Sequence, residues 1–167
     1  MIGSAAATAL RLFAPMGVVA VPRGYCFVVQ HHNGHSRTMS PGVGWRVPLL
    51  EWVCARIDMG ERVLTYPPVP VITGDDRAVN VAVTVRVKVT DPLRHAASGM
   101  DGPTAVHAVA TYVVRMIGAD LTAHDMLTGP GFLAARLQAG MQEETLTWGI
   151  TVLEARSTVE PAPHLRP

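Results

Sequence analysis

The stretch that most constrains the fold is Val79 to Asp91, which reads VNVAVTVRVKVTD. Every odd position from Val79 through Val89 is Val, and the even positions are Asn80, Ala82, Thr84, Arg86, Lys88 and Thr90. Successive side chains of a strand point to opposite faces, so six Val share one face and a mostly polar set shares the other. Val is stiff at χ1 and packs well on a pleated surface, so propensity agrees with the period. A slip of one residue would bury Arg86 and Lys88 and expose every Val, which pins the register. The cationic pair keeps other sheets off the outer face. The pattern predicts a central antiparallel strand with one wet side.

Composition narrows the class around that strand. A chain of 167 residues is of single-domain length, and 49% hydrophobic against 16% charged residues excludes a disordered polyelectrolyte. Aromatics make up only 5%, so Val, Leu, Ala and Met must build the core. A formal charge of +1 without a basic run gives no reason to expect nucleic acid. Cys26 and Cys54 form neither metal spacing nor a disulfide framework. Residues 1–14 (MIGSAAATALRLFA) are Ala-rich with one Arg and no acid, and apolar content continues through Val21, interrupted by Pro15 and Gly17. A spanning helix needs about 20 apolar residues, so three readings stand for residues 1–17: a membrane-facing segment, an organelle-targeting presequence, or a frayed end.

The chain around the Val strand reads as β from residue 17 to 91. Two short extended pieces flank Pro22-Arg23-Gly24, and Asn33-Gly34 supplies the positive φ of a hairpin turn whose return strand is Arg37-Thr38-Met39. Residues 40–44 (SPGVG) form a turn cluster, followed by a short extended piece over 45–48. Residues 52–65 read as two strands separated by a kink or bulge at Gly60. Tyr66-Pro67-Pro68-Val69-Pro70 must be a connector or an edge, since proline offers no donor to a central ladder. After Asp91-Pro92 the period changes. Pro103 stands at the first position of a helix with the apolar stripe Val106, Val109, Ala110, Val113 and Ile117, ended by Gly118. Thr122 and Asp125 have the form of a capping box. Pro130 opens a second long helix whose face carries Leu133, Leu137, Met141 and Trp148, with Glu144 a misfit on it and Gly149 its C′ residue. Residues 150–158 are a last strand and a Pro-rich tail follows. Strands segregated from helices define an α+β fold, a β-rich antiparallel N-terminal half packed by two main helices with a final C-terminal strand.

That order, with particular words in it, resembles the SPFH or Band 7 (stomatin/prohibitin) domain. The words are VPRGYCFVVQ at 21–30, RTMSPGVGWRVP at 37–48, IDMGERVLTYPPVPVIT at 57–73, NVAVTVRVKVTDP at 80–92, LTAHDML at 121–127 and WGITVLEARS at 148–157, with Arg115 in the first long helix. They span residues 18–158 in the family's order, closest to its stomatin-like branch, with 1–17 before the domain and 159–167 after it. The resemblance implies a non-enzymatic, membrane-associated scaffold that assembles into large oligomers, organises lipid domains and regulates membrane proteins. It implies as partners a membrane lipid surface and other SPFH subunits or a larger membrane complex, with no nucleic acid, no small-molecule substrate and no cofactor. It places the chain on a mitochondrial membrane if eukaryotic and on a plasma or inner membrane otherwise. HHNGH departs from a loop that in relatives carries Arg and an aromatic residue, Val113-Val114 stand where relatives are more polar, and the relatives' charged coiled coil does not follow Pro167. That last departure admits a rival reading, a fixed accessory subunit of one large membrane complex without self-assembly.

Candidate chemistry is sparse. His31, His32 and His35 share one hairpin loop and could serve a metal, though no fourth ligand is identifiable and an ordinary surface hairpin explains them. A His-loop metal-binding or catalytic domain is the third and weakest reading. Asp75 and Asp76 are neighbours that point apart, which suits a solvated turn better than acid–base chemistry. His124-Asp125 comes without a nucleophile motif, and no catalytic or phosphate-binding signature occurs. Cys26 near the apolar N-terminus is a possible acylation site, with a small buried hydrophobe as the simpler reading. Thr84, Arg86 and Lys88, on the polar face of the Val strand, are the candidate assembly surface.

Overall fold

A computed structural model describes residues 17–161, so the expectations for the apolar N-terminal segment before Gly17 lie outside the described residues. The backbone divides into two compact units. Unit one holds the described residues up to Gly60 together with Val89–Gly99; unit two holds Glu61–Lys88 and the described residues from Met100 onward.

In unit one, β1 (Val18–Val21) pairs antiparallel with β4 (Gly42–Trp45). The strand β2 (Tyr25–His31) lies between β3 (Ser36–Met39) and β5 (Glu51–Asp58), antiparallel to both. The β2–β3 turn forms as expected from Asn33-Gly34: Gly34 has φ +89° and the His31 N–H donates to the His35 carbonyl at 2.8 Å. Val21, Phe27, Val29 and Met39 make the buried cluster, with Val19 and Val53 packed against it. One expectation fails here: the cluster at 40–44 is not simply a turn, because Gly42–Trp45 is a strand; Gly44 is small because a Cβ there would overlap Met39 Cε. The break at Gly60 falls between two strands as expected, and the Gly60 N–H donates to Asp58 Oδ1 at 2.9 Å between β5 and β6 (Glu61–Ile72). A short helix, α1 (Pro92–Ser98), was not anticipated, although Asp91 caps it by accepting the Arg94 N–H at 3.1 Å and Pro92 opens it. It packs on β2, β3 and β5.

In unit two the Val strand is β7 (Ala78–Val89), hydrogen-bonded between β6 (Glu61–Ile72) and β8 (Ile150–Pro161). It is central, as its pattern requires. Val79, Val81, Val83, Val85 and Val87 are buried, while Val89 at the strand end is half-buried. The proline stretch proves to be an edge, yet it continues β6 through Ile72. The ladder with β7 shifts register between Tyr66 and Val69, where Pro67 and Pro68 have no donor to give. Helix α2 (Gly102–Asp120) buries the expected stripe and runs past Gly118. Gly118 is right-handed and is there for packing: a Cβ on it would overlap Val71 Cγ1. Thr122 caps α3 (Ala123–Thr128), and α4 (Pro130–Leu146) buries Leu133, Leu137 and Met141. The face continues to Thr145 rather than to Glu144, which is exposed, and Trp148 lies beyond the helix. That four-residue spacing removes the misfit.

Candidate functional site

The first candidate surface is the 45–52 loop of unit one (WRVPLLEW), which takes in the last residue of β4, the connection 46–50 and the first two residues of β5. Residues 46–50 have no strand or helix period to follow, and Trp45 and Trp52 stand on outward positions of their strands. Leu49 is 99% exposed and Trp45 56%, with Leu50 and Trp52 also in solvent and Val43 on the adjoining strand 77% exposed. Leu49 adopts φ +69°, a left-handed conformation that a branched bulky residue pays for. Exposed singly, such residues need no explanation; together on one short segment with a strained backbone, they make it a candidate contact surface.

Glu51 fixes this loop. Its carboxylate accepts Arg37 Nε at 3.1 Å and Nη2 at 2.9 Å, and the Val47 N–H at 2.8 Å. Arg37 Nη2 also donates to the Trp45 carbonyl at 2.7 Å, and Arg46 Nη1 donates to the Glu51 carbonyl at 2.7 Å. The bidentate arginine, followed by the Val47 N–H, pulls the Glu51 carboxyl down to about 2 against the opposing effect of burial. Three further contacts surround the loop. The Leu50 carbonyl accepts the His32 N–H at 2.9 Å, the Gly17 carbonyl accepts the Arg46 N–H at 2.8 Å, and a Cβ on Gly17 would overlap the Arg46 carbonyl. Gly17 is the residue at which the apolar N-terminal sequence joins the described fold.

The second candidate surface is the outer face of the three-stranded sheet in unit two. Thr84, Arg86 and Lys88 lie on it as the alternation predicts, opposite Thr65, Val63 and Glu61 of β6. Arg86 pairs with Glu154 and stands 3.8 Å from Glu61; Arg156 Nε donates to Glu154 Oε1 at 2.6 Å. Arg156 first and Arg86 second hold the Glu154 carboxyl below its usual range. Val63, Thr84, Arg86, Glu154 and Arg156 line a shallow groove of about 230 Å³. Sequence reasoning placed the three β7 residues and missed Glu154 and Arg156, whose contribution depends on β8 returning beside β7.

The remaining candidates do not converge. The His31 and His32 rings meet at a 49° tilt with centroids 4.4 Å apart, and the His31 Nδ1 accepts the Asn33 N–H at 3.3 Å. Among the described residues no three His, Cys, Asp or Glu gather as a metal-ligand group. Cys26 is buried and its burial raises the thiol, whereas Cys54 is exposed. Asp75 accepts the Thr73 hydroxyl at 2.5 Å and the Ala123 N–H at 3.0 Å, tying the β6–β7 turn to the start of α3. Thr73 chiefly, then Ala123, keeps its carboxyl low. Asp76 occupies the turn at φ +56°, and Asp125 exchanges hydrogen bonds with Thr122 as a cap. No helix among the described residues is long and apolar enough to cross a membrane.

Comparison with known proteins agrees with this architecture. An uncharacterised protein of Mycobacterium tuberculosis is 30% identical over 151 residues, covering 89% of this chain and 39% of the relative. One from Methanothermobacter thermautotrophicus is 29% identical over 135 residues, covering 80% and 42%. One from Schizosaccharomyces pombe is 24% identical over 155 residues, covering 88% and 44%. The chain therefore spans about two fifths of the length of these curated relatives. The family model for the SPFH domain / Band 7 family matches residues 19–162, nearly the whole of the two described units, and the chain belongs to that family.

Proposed function

We propose that this protein is a non-catalytic, membrane-associated scaffold or assembly subunit, resting on a bilayer through the 45–52 loop and using the outer sheet face of unit two for subunit contacts. Family membership supports a scaffold role of this kind. The observation that carries the membrane part is the exposed cluster of Trp45, Leu49, Leu50 and Trp52 beside Gly17, where the apolar N-terminal sequence enters the fold. Trp and Leu on one loop suit the headgroup boundary, where an apolar body can be buried while polar atoms stay wet.

Flotation of the full chain with lipid vesicles tests the membrane part. Full recovery in the soluble fraction would sink it. For assembly, Arg86→Glu with Lys88→Glu should reduce the oligomer or complex seen by light scattering while circular dichroism stays unchanged. An unaltered assembly would remove that role from the face. Native co-purification that yields fixed foreign subunits, and no second copy, would replace self-assembly with an accessory-subunit role.

A further inference from the structure

The loop has a chemically distinct rim. The β2–β3 hairpin carrying His31, His32 and His35 runs directly beside it: His31 pairs with Glu51 and Gln30 with Trp52 in the β2–β5 ladder, and the His32 N–H is bonded to the Leu50 carbonyl. His31 and His32 thus adjoin the backbone of Leu50 and Glu51, and His35 lies across the hairpin from His31. Among the described residues, unit one has three carboxylates, Glu51, Asp58 and Asp91. Glu51 is neutralised by Arg37, Asp91 pairs with Arg94 on α1, and Asp58 sits opposite Tyr25 at the far end of the ladder. Six residues of strand put Asp58 about 20 Å from the loop. Arg46 is a cation whose Nη1 donates to the Glu51 carbonyl, with no ion pair to a carboxylate among the described residues, Arg56 lies over the Phe27 ring, and α1 adds His95. Every uncompensated or protonatable group at this end of the unit is therefore neutral or positive.

We infer that the loop engages an anionic leaflet in preference to a neutral one, and that protonation of His31, His32 and His35 tightens this engagement. The inference rests on the membrane reading above and adds the lipid's charge and a proton dependence. An apolar insertion supplies affinity for any bilayer, whereas headgroup charge acts only on the cationic rim. Imidazole is the side chain whose charge changes between pH 5 and 8, and three of them beside Arg46 would take the rim from weakly to strongly cationic. Each cation near an anionic surface is worth about fivefold in affinity. Three charges together give a ceiling of about 100-fold.

The experiment titrates the full chain with vesicles of phosphatidylcholine alone and with about one third phosphatidylglycerol, at about pH 7.5 and 5.5. The expected result is at least tenfold tighter binding to the anionic vesicles at the lower pH, with little pH change on the neutral ones. His31→Gln, His32→Gln and His35→Gln combined should abolish the pH step and keep the binding seen at the higher pH; His32 and His35 are exposed and His31 is half-buried, with a Gln able to keep an acceptor for the Asn33 N–H, so circular dichroism should be unchanged. Equal, pH-independent binding to both vesicles would overturn the inference and leave the membrane reading in place. A pH step that survives the triple substitution would also overturn it. Absence of binding under all conditions would remove both.

Discussion

Leu49→Asn separates fold from function, because the two should move in opposite directions. Leu49 is at φ +69° and is 99% exposed, so it contributes strain and no packing. The left-handed conformation costs a residue with a bulky side chain about 1–2 kcal/mol, and Asn adopts it far more readily. Relief of about 1 kcal/mol should raise the midpoint of thermal unfolding by about 2–4 °C in a chain of this size. The same change removes a leucine whose burial in an apolar phase is worth about 1.5–3 kcal/mol. Vesicle affinity should therefore fall roughly tenfold to hundredfold. A melt followed by circular dichroism and a vesicle titration by Trp fluorescence give the two readings. If the variant is less stable than the native chain, the strain argument is wrong. If it is more stable and binds vesicles as before, Leu49 is not an insertion residue and the loop's exposure has another cause.

Two further substitutions test the framework of each unit. Glu51→Gln should lower the stability of unit one at neutral pH. Because the folded carboxyl lies at about 2, below its unfolded value, the contribution is present above about pH 4.3 and is lost as pH falls toward 2. Acid unfolding midpoints of the two proteins should converge in that window, and a gap that persists at pH 2 would contradict the role given to the carboxylate. In unit two, Gly118→Ala gains about 1 kcal/mol of helix propensity but drives a methyl into Val71, with overpacking costing about 1–3 kcal/mol. The denaturant midpoint should fall, and in a Val71→Ala background the same substitution should raise it. A rise in the native background would show that the strand gives way.

Much of unit two was legible because its information is periodic. The Val face of β7, the α2 stripe and Leu133, Leu137 and Met141 of α4 are each one-dimensional patterns that burial alone decides. The errors arose where a residue answers to a neighbour distant in sequence. Gly118 resembled a helix end but is small on account of Val71; Gly44 resembled a turn and is small on account of Met39. Helix α1 is too short to show a period, though its cap and proline were in plain view at Asp91-Pro92. The loop at 45–52 was missed for a related reason. Residues 46–50 fit no period, and the exposure of Trp45 and Trp52 depends on which strand each end pairs with, which no pattern along the chain reports.

The strain at Leu49 and the clamp at Glu51 are two parts of one device. A left-handed leucine persists only where its flanks are over-determined. Here the Val47 carbonyl accepts the Glu51 N–H at 2.9 Å, the Glu51 carboxylate accepts the Val47 N–H, and Arg37 ties both to Trp45. With Glu51→Gln the carboxylate can no longer receive Arg37 as an ion pair, and the turn that displays Leu49 loses its support. Vesicle affinity should then fall severalfold, although Glu51 is buried among its own loop and offers nothing to lipid. Once the turn is loosened, the identity of residue 49 should matter less for both strain and insertion. The double variant Glu51→Gln with Leu49→Asn should therefore lose less affinity than the two single losses combined, because residues sharing one support are not independent. Strict additivity in vesicle titrations would mean that Leu49 holds its position without the clamp. The Arg37–Glu51 pair would then serve the stability of unit one and nothing beyond it.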